Sequence, residues 1–306
     1  MHSSLNTPKR CLIALLFVAG LLAGITPTEP QIVNAAPLLA GGDLLWKPFL
    51  GGGLDDGLDI VADASGNVYV VGNSRTTWGN PVRGFSGVFD AFVAKLDSSG
   101  NLLWNTFLGG IGNDYGRSIA LDSSGNIYVA GISDANWGNP VRGYTNHEDA
   151  FAVRLDTNGN LAWSTFLGGK SQDHGYGVAA ASDGSVYVTG RSSATWETPI
   201  RSFTDGSDAF TARLDSSGNL VWNSFLGGAG HEEGYSIAVG NGGVYVAGSS
   251  TAIWPEAPAR AYKGNLDGFA ANLTAAGNLT WYTFLGSNDD DTARDITSDS
   301  NGGIYV

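Results

Sequence analysis

The sequence is poor in cysteine and in basic residues, and both shortages limit what the protein can do. Its one cysteine, Cys11, lies near the N-terminus in a predicted leader, so the mature chain has no thiol for disulfides or thiol chemistry. Lys and Arg number 16 against 29 Asp and Glu, giving a formal charge of −13, which becomes about −14 once residues 1–35 are removed. Such an acidic surface repels phosphate backbones, which argues against nucleic acid and anionic lipid as partners.

The N-terminal 35 residues have the layout of a secretory signal peptide. Lys9 and Arg10 precede the apolar run CLIALLFVAGLLAGI, and a polar stretch then ends in VNAAP, with Ala35 at the predicted cleavage site. A membrane anchor is the alternative, but this run of about 15 residues is shorter than the roughly 20 needed to cross a bilayer. We therefore expect a mature chain that is secreted or held at the cell surface, has no membrane span and is monomeric.

The rest of the chain is one unit repeated. The stretch LDSSGNLLWNTFLGG, residues 96–110, returns as LDTNGNLAWSTFLGG and LDSSGNLVWNSFLGG. Its tryptophans recur every 58 or 59 residues, at Trp46, Trp104, Trp163, Trp222 and Trp281. A fixed period of this length is typical of solenoids, propellers and other repeat architectures.

Each repeat reads as four β-strands. In residues 116–167, GRSIALD, NIYVAGIS, EDAFAVRLD and NLAWSTFLG are of strand length, and Gly-containing turns such as DTNGN separate members of each hairpin. No segment shows a helical period. Four antiparallel strands per repeat predict an all-β propeller over residues 36–306, because radial closure protects strand edges that a linear array leaves open.

The repeats define four complete blades and partial ones at both ends. The blades are predicted at about 53–108, 112–167, 171–226 and 230–285, with a partial repeat at 291–306 and an orphan strand at 43–50. The orphan strand and the last repeat together lack one strand of a complete blade. We therefore expect a truncated chain with further blades beyond residue 306.

The segments GYSIAV, GNIYVAG, DAFVAKLD, SSGN and FLGG resemble the SBBP-type β-propeller repeat of many secreted bacterial proteins, over residues 42–306. The resemblance implies a propeller, usually of seven blades, and no defined activity. LDSSGNLLW is also similar to the tryptophan-docking motif of quinoprotein dehydrogenases, whose indole packs on the neighbouring blade. The five repeated tryptophans are therefore predicted to be structural blade-docking residues.

A carboxylate recurs in every inter-blade loop. Seven residues after each repeated Phe come Asp56, Asp114, Asp173, Glu232 and Asp291. If these side chains face the channel mouth, they form a ring of oxygen ligands that suits a hard cation such as calcium. The alternative is that each carboxylate caps its own turn by accepting backbone N–H bonds, or pairs with a loop arginine.

The long middle loops repeat an aromatic residue and a cation. Their tryptophans are Trp78, Trp137, Trp196 and Trp254, and their arginines are Arg83, Arg142, Arg201 and Arg260. Exposed, these pairs would make a sugar or peptide platform. Alternatively they pin each loop to its own blade, with the arginines paired to Asp90, Asp149, Asp208 and Asp267 at the start of the third strands.

No catalytic motif stands out. G-x-S-x-G is absent, and His147, His174 and His231 lack metal-binding spacing, so a surface role is expected for His174 and His231. The sequence therefore favours a secreted or cell-surface binding or structural scaffold, with protein or carbohydrate partners. The alternative is a polysaccharide-active or quinoprotein-like propeller enzyme that uses the inter-blade carboxylates, although similar blades argue against the different environments that an acid and a base require.

Overall fold

The computed structural model describes residues 50–240, 242–299 and 301–306. The predicted leader, Trp46 and residues 43–49 of the predicted orphan strand lie outside the described residues. All the helix and strand elements within the described ranges are β-strands. No helix in this part of the chain is long and apolar enough to cross a bilayer.

The strands form four successive four-stranded antiparallel units, which we call blades 1 to 4, and this confirms the predicted fold class. Blade 1 contains β1 (Asp55–Ala62), β2 (Val68–Ser74), β3 (Asp90–Leu96) and β4 (Leu102–Leu108). Blade 2 contains β5 (Asp114–Leu121), β6 (Ile127–Ser133), β7 (Asp149–Leu155) and β8 (Leu161–Leu167). Blade 3 contains β9 (Asp173–Ala180), β10 (Val186–Ser192), β11 (Asp205–Leu214) and β12 (Leu220–Leu226).

Blade 4 and the start of a fifth repeat follow. Blade 4 contains β13 (Ala229–Gly240), β14 (Gly243–Ser250), β15 (Asp267–Thr274) and β16 (Leu279–Leu285). The fifth repeat contributes β17 (Thr297–Ser298) and β18 (Ile304–Tyr305), which pair antiparallel. Blades 3 and 4 are joined into one sheet by a short parallel pairing of residues 205–207 with residues 229–231.

The tight turns follow from Asp and Gly at fixed positions. In the turn between β7 and β8, Asp156 Oδ1 accepts hydrogen bonds from the backbone N–H groups of Asn158 and Asn160, both 2.8–2.9 Å long. Gly159 has φ +82°, a conformation that costs a residue without Cβ little. These local interactions fix the hairpin ends, so the strand pairing starts at the same point in each blade.

The core lies between blades. One cluster joins Tyr128 and Trp163 of blade 2 to Val188 and Phe225 of blade 3. The contacts between successive blades are concentrated on their first strands, β1, β5, β9 and β13. The first strands therefore lie at the centre of the radial arrangement, as in a propeller.

The docking tryptophans reach the following blade. Trp222 donates its indole N–H to the Ala275 carbonyl at 3.0 Å. Its ring also packs closely on Gly277, where a side-chain Cβ would lie only 2.8 Å from Trp222 Cδ2. Trp104 lies in the same way against Gly159. Trp281 is 38% exposed, more than Trp163 and Trp222, which are each 8% exposed.

Candidate functional site

The middle-loop tryptophans are buried, so the prediction of an exposed aromatic platform is wrong. Trp78, Trp137, Trp196 and Trp254 are 2–4% exposed. Trp137 packs edge-on against Phe151 and Phe166 of its own blade, and the other three make equivalent contacts. A ring enclosed by core phenylalanines has no face left for a ligand, and these residues pin the loops instead.

The middle-loop arginines clamp the end of the fourth strand. Arg142 donates from Nη1 to the Phe166 carbonyl at 2.8 Å and from Nη2 to the Gly168 carbonyl at 2.7 Å. Its guanidinium also lies 5.6 Å from the ring centroid of Trp196 in the following blade. Arg83 and Arg201 make the same two bonds, while Arg260 keeps only the bond to Gly286. The arginines are therefore structural.

The expected ion pairs between these arginines and the third-strand aspartates do not form. Arg142 and Arg201 instead pair with Glu197 and Glu256, at 3.0 and 2.9 Å. The four aspartates accept hydrogen bonds from backbone N–H groups of the preceding loop, which fixes its exit into the third strand. Asp90 accepts from Ser86 and Gly87, Asp149 from Thr145, Asp208 from Thr204, and Asp267 from Lys263 and Gly264.

The inter-blade carboxylates cap their own turns. Each accepts a backbone N–H four residues earlier, at 2.7–3.0 Å: Asp114 from Gly110, Asp173 from Gly169, Glu232 from Gly228 and Asp291 from Ser287. In blade 1 this position belongs to Asp55, which pairs with Ser74 and accepts from Gly52 and Gly53. Asp56 is exposed, so counting from Phe49 misplaced the capping residue by one.

These carboxylates do not make a metal centre. Among the described residues, no group of three or more His, Cys, Asp or Glu side chains is positioned to hold a metal ion, and the bonds above favour the alternative that each carboxylate caps its own turn. Burial raises the pKa of Asp173 and of Glu232 to about 7, and that of Asp114 to about 6. Because they are 0–1% exposed, these groups are also unable to reach a substrate as acid and base.

The blades differ where the first strands bulge. The pairing of β5 with β6 shifts between Gly116 and Ser118, which leaves Arg117 as an extra residue. The corresponding extra residues are Leu58, Tyr176 and Tyr235. A bulge redirects a side chain away from the regular alternation of a strand and is common beside functional sites.

The bulged residues of blades 2 to 4 and their neighbours make a polar and aromatic group, which we call the inner-strand cluster. It comprises Tyr115, Arg117, Glu148, His174, Tyr176, Arg191, Glu233, Tyr235 and Arg294. Its members come from blades 2, 3 and 4 and from the fifth repeat. The cluster therefore exists only when successive blades are packed together.

Glu148, His174 and Tyr176 are linked by hydrogen bonds. The His174 Nε2 and the Glu148 Oε2 lie 2.9 Å apart, and the His174 Nδ1 and the Tyr176 hydroxyl lie 3.1 Å apart. Desolvation lowers the pKa of His174, which favours the neutral ring. A carboxylate only accepts, so Nε2 carries the proton and Nδ1 accepts from the Tyr176 hydroxyl. The ring of Tyr176 is thereby held in one orientation.

A second set of contacts holds Tyr235 beside Tyr176. The Tyr235 hydroxyl donates to Glu233 Oε2 at 2.7 Å, and Arg191 Nη1 donates to Glu233 Oε1 at 3.4 Å. The rings of Tyr176 and Tyr235 lie 6.0 Å apart with 39° between their planes. The Arg294 guanidinium lies 4.4 Å from the centroid of the Tyr235 ring.

Sequence reasoning missed this cluster. It considered His174 as a surface residue, whereas the His174 side chain is 13% exposed. The sequence does contain a signal for the cluster, because the amino acids one and three positions after each capping carboxylate differ between repeats that are otherwise similar. These pairs are Tyr115 and Arg117, His174 and Tyr176, Glu233 and Tyr235, and Thr292 and Arg294. Variation within a regular repeat marks positions that the fold itself does not require.

The cluster has the features of a binding site rather than a structural core. Its tyrosine hydroxyls are held by bonds to His174 and Glu233, and its guanidiniums are partly accessible. Oriented rings and donors lose little entropy when a ligand binds.

The match to a family model agrees with the fold. Residues 103–136 match the SBBP beta-propeller repeat. The chain is 29% identical over 229 residues to regulatory protein FlaEY of Caulobacter vibrioides, an alignment that covers 69% of this chain but only 24% of that protein. A solved structure of a protein of unknown function from Bacteroides caccae aligns with 78% of this chain and 72% of its own, at 13% identity and a TM-score of 0.38.

The family match covers a segment from β4 to the loop after β6. That segment contains the docking Trp104, the capping Asp114 and the bulged Arg117, and the equivalents of these residues recur in the other blades. Residues 103–136 are thus an SBBP-type β-propeller repeat, and the described chain is built from repetitions of this unit.

Proposed function

We propose that this chain is a non-catalytic binding module of the bacterial cell surface, exported by its leader, whose ligand contacts the inner-strand cluster. The observation that carries the proposal is the division of labour within each repeat. Residues that cap, clamp and dock are alike from blade to blade, whereas those beside the bulges differ and meet across blades. Rigid repeats that present a varied surface are typical of recognition proteins.

Two further facts support binding without turnover. The inter-blade carboxylates, which were the candidates for acid and base, are held by their own turns. The relative from Caulobacter vibrioides is named a regulatory protein, which fits recognition better than hydrolysis. A secreted location follows from Lys9, Arg10 and the apolar run before Ala35.

The test expresses the 306-residue chain with its leader in a bacterial host and follows the exported product. N-terminal sequencing is expected to start near Ala36. The exported protein should sediment with envelope polysaccharide, and a Tyr176→Leu, Tyr235→Leu double variant should stay in the supernatant.

Tyr305→Leu is the matched control, because Tyr305 is 60% exposed on β18 and outside the cluster. It should sediment like the unaltered chain. An intact leader on protein found only in the cytoplasm would contradict export. New reducing ends released from the polysaccharide, and lost in the double variant, would show an enzyme instead.

A further inference from the structure

The inner-strand cluster contains three arginines and two glutamates, Glu148 and Glu233, in an otherwise acidic chain. The chain has 16 Lys and Arg against 29 Asp and Glu, yet Arg117, Arg191 and Arg294 all belong to the cluster. Of the three, only Arg191 lies within 4.0 Å of a carboxylate oxygen among the described residues. Within the described residues, Arg117 and Arg294 therefore have no carboxylate partner.

Arg117 also has an unsatisfied donor. Its Nε atom is buried and has no hydrogen-bond partner in the described part of the chain. Arg154 and Arg191 each have a buried Nε of the same kind, and a buried donor is not itself open to a ligand, so binding would use the other guanidinium N–H groups of Arg117. The planar guanidinium fits a carboxylate through two parallel hydrogen bonds.

The tyrosines supply an apolar surface beside these cations. The Tyr176 and Tyr235 rings lie 6.0 Å apart, the Arg294 guanidinium lies 4.4 Å from the centroid of the Tyr235 ring, and Arg117 is the bulged residue of the neighbouring first strand β5. A ligand held here meets ring faces and charged donors together. Aromatic faces contact apolar C–H surfaces well, and a pyranose ring has such a surface.

We infer that the inner-strand cluster binds an acidic saccharide, with its carboxylate on Arg117 or Arg294 and a pyranose ring against Tyr176 and Tyr235. This inference rests on the proposed function and names its ligand class. A long polyphosphate is a poorer fit, because the acidic remainder of the surface repels an extended polyanion. A short acidic glycan places one or two carboxylates beside the arginines and its sugar rings against the tyrosine rings.

Calorimetry on the exported, mature chain tests this with trigalacturonic acid as the probe. Galactotriose with the same linkages is the neutral control, since it lacks only the carboxylates. We expect measurable binding of the acid alone, weakened about tenfold or more in Arg117→Gln and in Arg294→Gln, which corresponds to one charged hydrogen bond. Arg154→Gln is the matched control, because Arg154 also has a buried Nε without a partner among the described residues, but lies on β7 outside the cluster and donates to Asn126.

Each result of the calorimetry supports or overturns a stated part of the inference. Equal binding of the neutral trisaccharide, or unchanged affinity in both cluster variants, overturns the role of the arginines. Equal binding of triglutamate overturns the saccharide class. A chain that sediments with the envelope but does not bind trigalacturonic acid overturns this ligand and leaves the proposed function standing, whereas failure in both assays overturns both. Unfolding midpoints equal to that of the unaltered chain show that the variants are folded.

Discussion

Trp163 of blade 2 donates its indole N–H to the carbonyl of Ser216, 53 residues later in blade 3, over 3.1 Å. The same ring is 8% exposed and packs with Tyr128 and Val188 in the core between these blades. A single side chain thus supplies both a directional bond and apolar area to one blade interface. Several of the expectations below depend on this mode of docking.

Trp163→Phe should lower the free energy of unfolding by about 1 kcal/mol or more, because it removes the bond to Ser216 and some ring area. Urea unfolding followed by circular dichroism measures the loss. Trp281→Phe is the control, since Trp281 is 38% exposed among the described residues, against 8% for Trp163. Equal losses in the two variants would show that docking contributes nothing beyond general packing.

Gly218→Ala should destabilise the protein more than Gly242→Ala. Both glycines have φ +83°, so each alanine introduces left-handed strain of roughly 1–2 kcal/mol. A Cβ on Gly218 would also lie 2.8 Å from Trp163 Cδ2, whereas nothing lies within 4 Å of a Cβ on Gly242. The difference between their urea midpoints isolates the collision with the docking ring. Equal midpoints would mean that the indole moves aside freely.

Asp173 should make the fold less stable as the pH rises. Desolvation raises its pKa from 3.8 to about 7, so the folded chain binds the proton more tightly than the unfolded chain. The contribution is complete below about pH 4, decreases as the pH rises through the folded pKa, and is lost above about pH 7. Asp173→Asn keeps a neutral oxygen for the Gly169 N–H, so its stability relative to the unaltered chain should increase between pH 5 and pH 8.

Asp156→Asn is the control of opposite sign for this pH series. A hydrogen bond from the Asn160 side chain, with two backbone N–H bonds, lowers the pKa of Asp156. Its stabilisation is present above the ordinary pKa and is lost as the pH falls through the folded pKa, so Asp156→Asn should cost stability at neutral pH and little in acid. Parallel pH profiles for the two variants would contradict the assignment.

Arg201→Lys should cost about 1–3 kcal/mol of unfolding free energy, because a lysine cannot bond the Phe225 and Gly227 carbonyls together as the fork of Arg201 does. Arg260→Lys should cost less, since Arg260 makes only the bond to Gly286 and is exposed. Chemical unfolding of both variants compares the complete and the partial clamp. A larger effect at Arg260 would show that the clamp is not what stabilises the loop.

The repeat, its strands and its tight turns were predictable from the sequence because they depend on local, periodic signals. Asp156 and Gly159 fix a hairpin within five residues, and a tryptophan that recurs every 59 residues has the same role in each blade. The family resemblance rests on the same short segments. These features need no knowledge of which blades touch.

The candidate site could not be predicted in the same way, because it depends on contacts between repeats. One extra residue in β5, β9 and β13 redirects Arg117, Tyr176 and Tyr235, and packing of successive first strands then brings them together. The three-dimensional packing likewise shows that Trp137 is a core residue, and that Asp55 rather than Asp56 is buried and caps its turn. The sequence by itself determined the blade, whereas the tertiary structure decided which side chains are left for a ligand, since exposure and cross-blade distance exist only after the blades have packed.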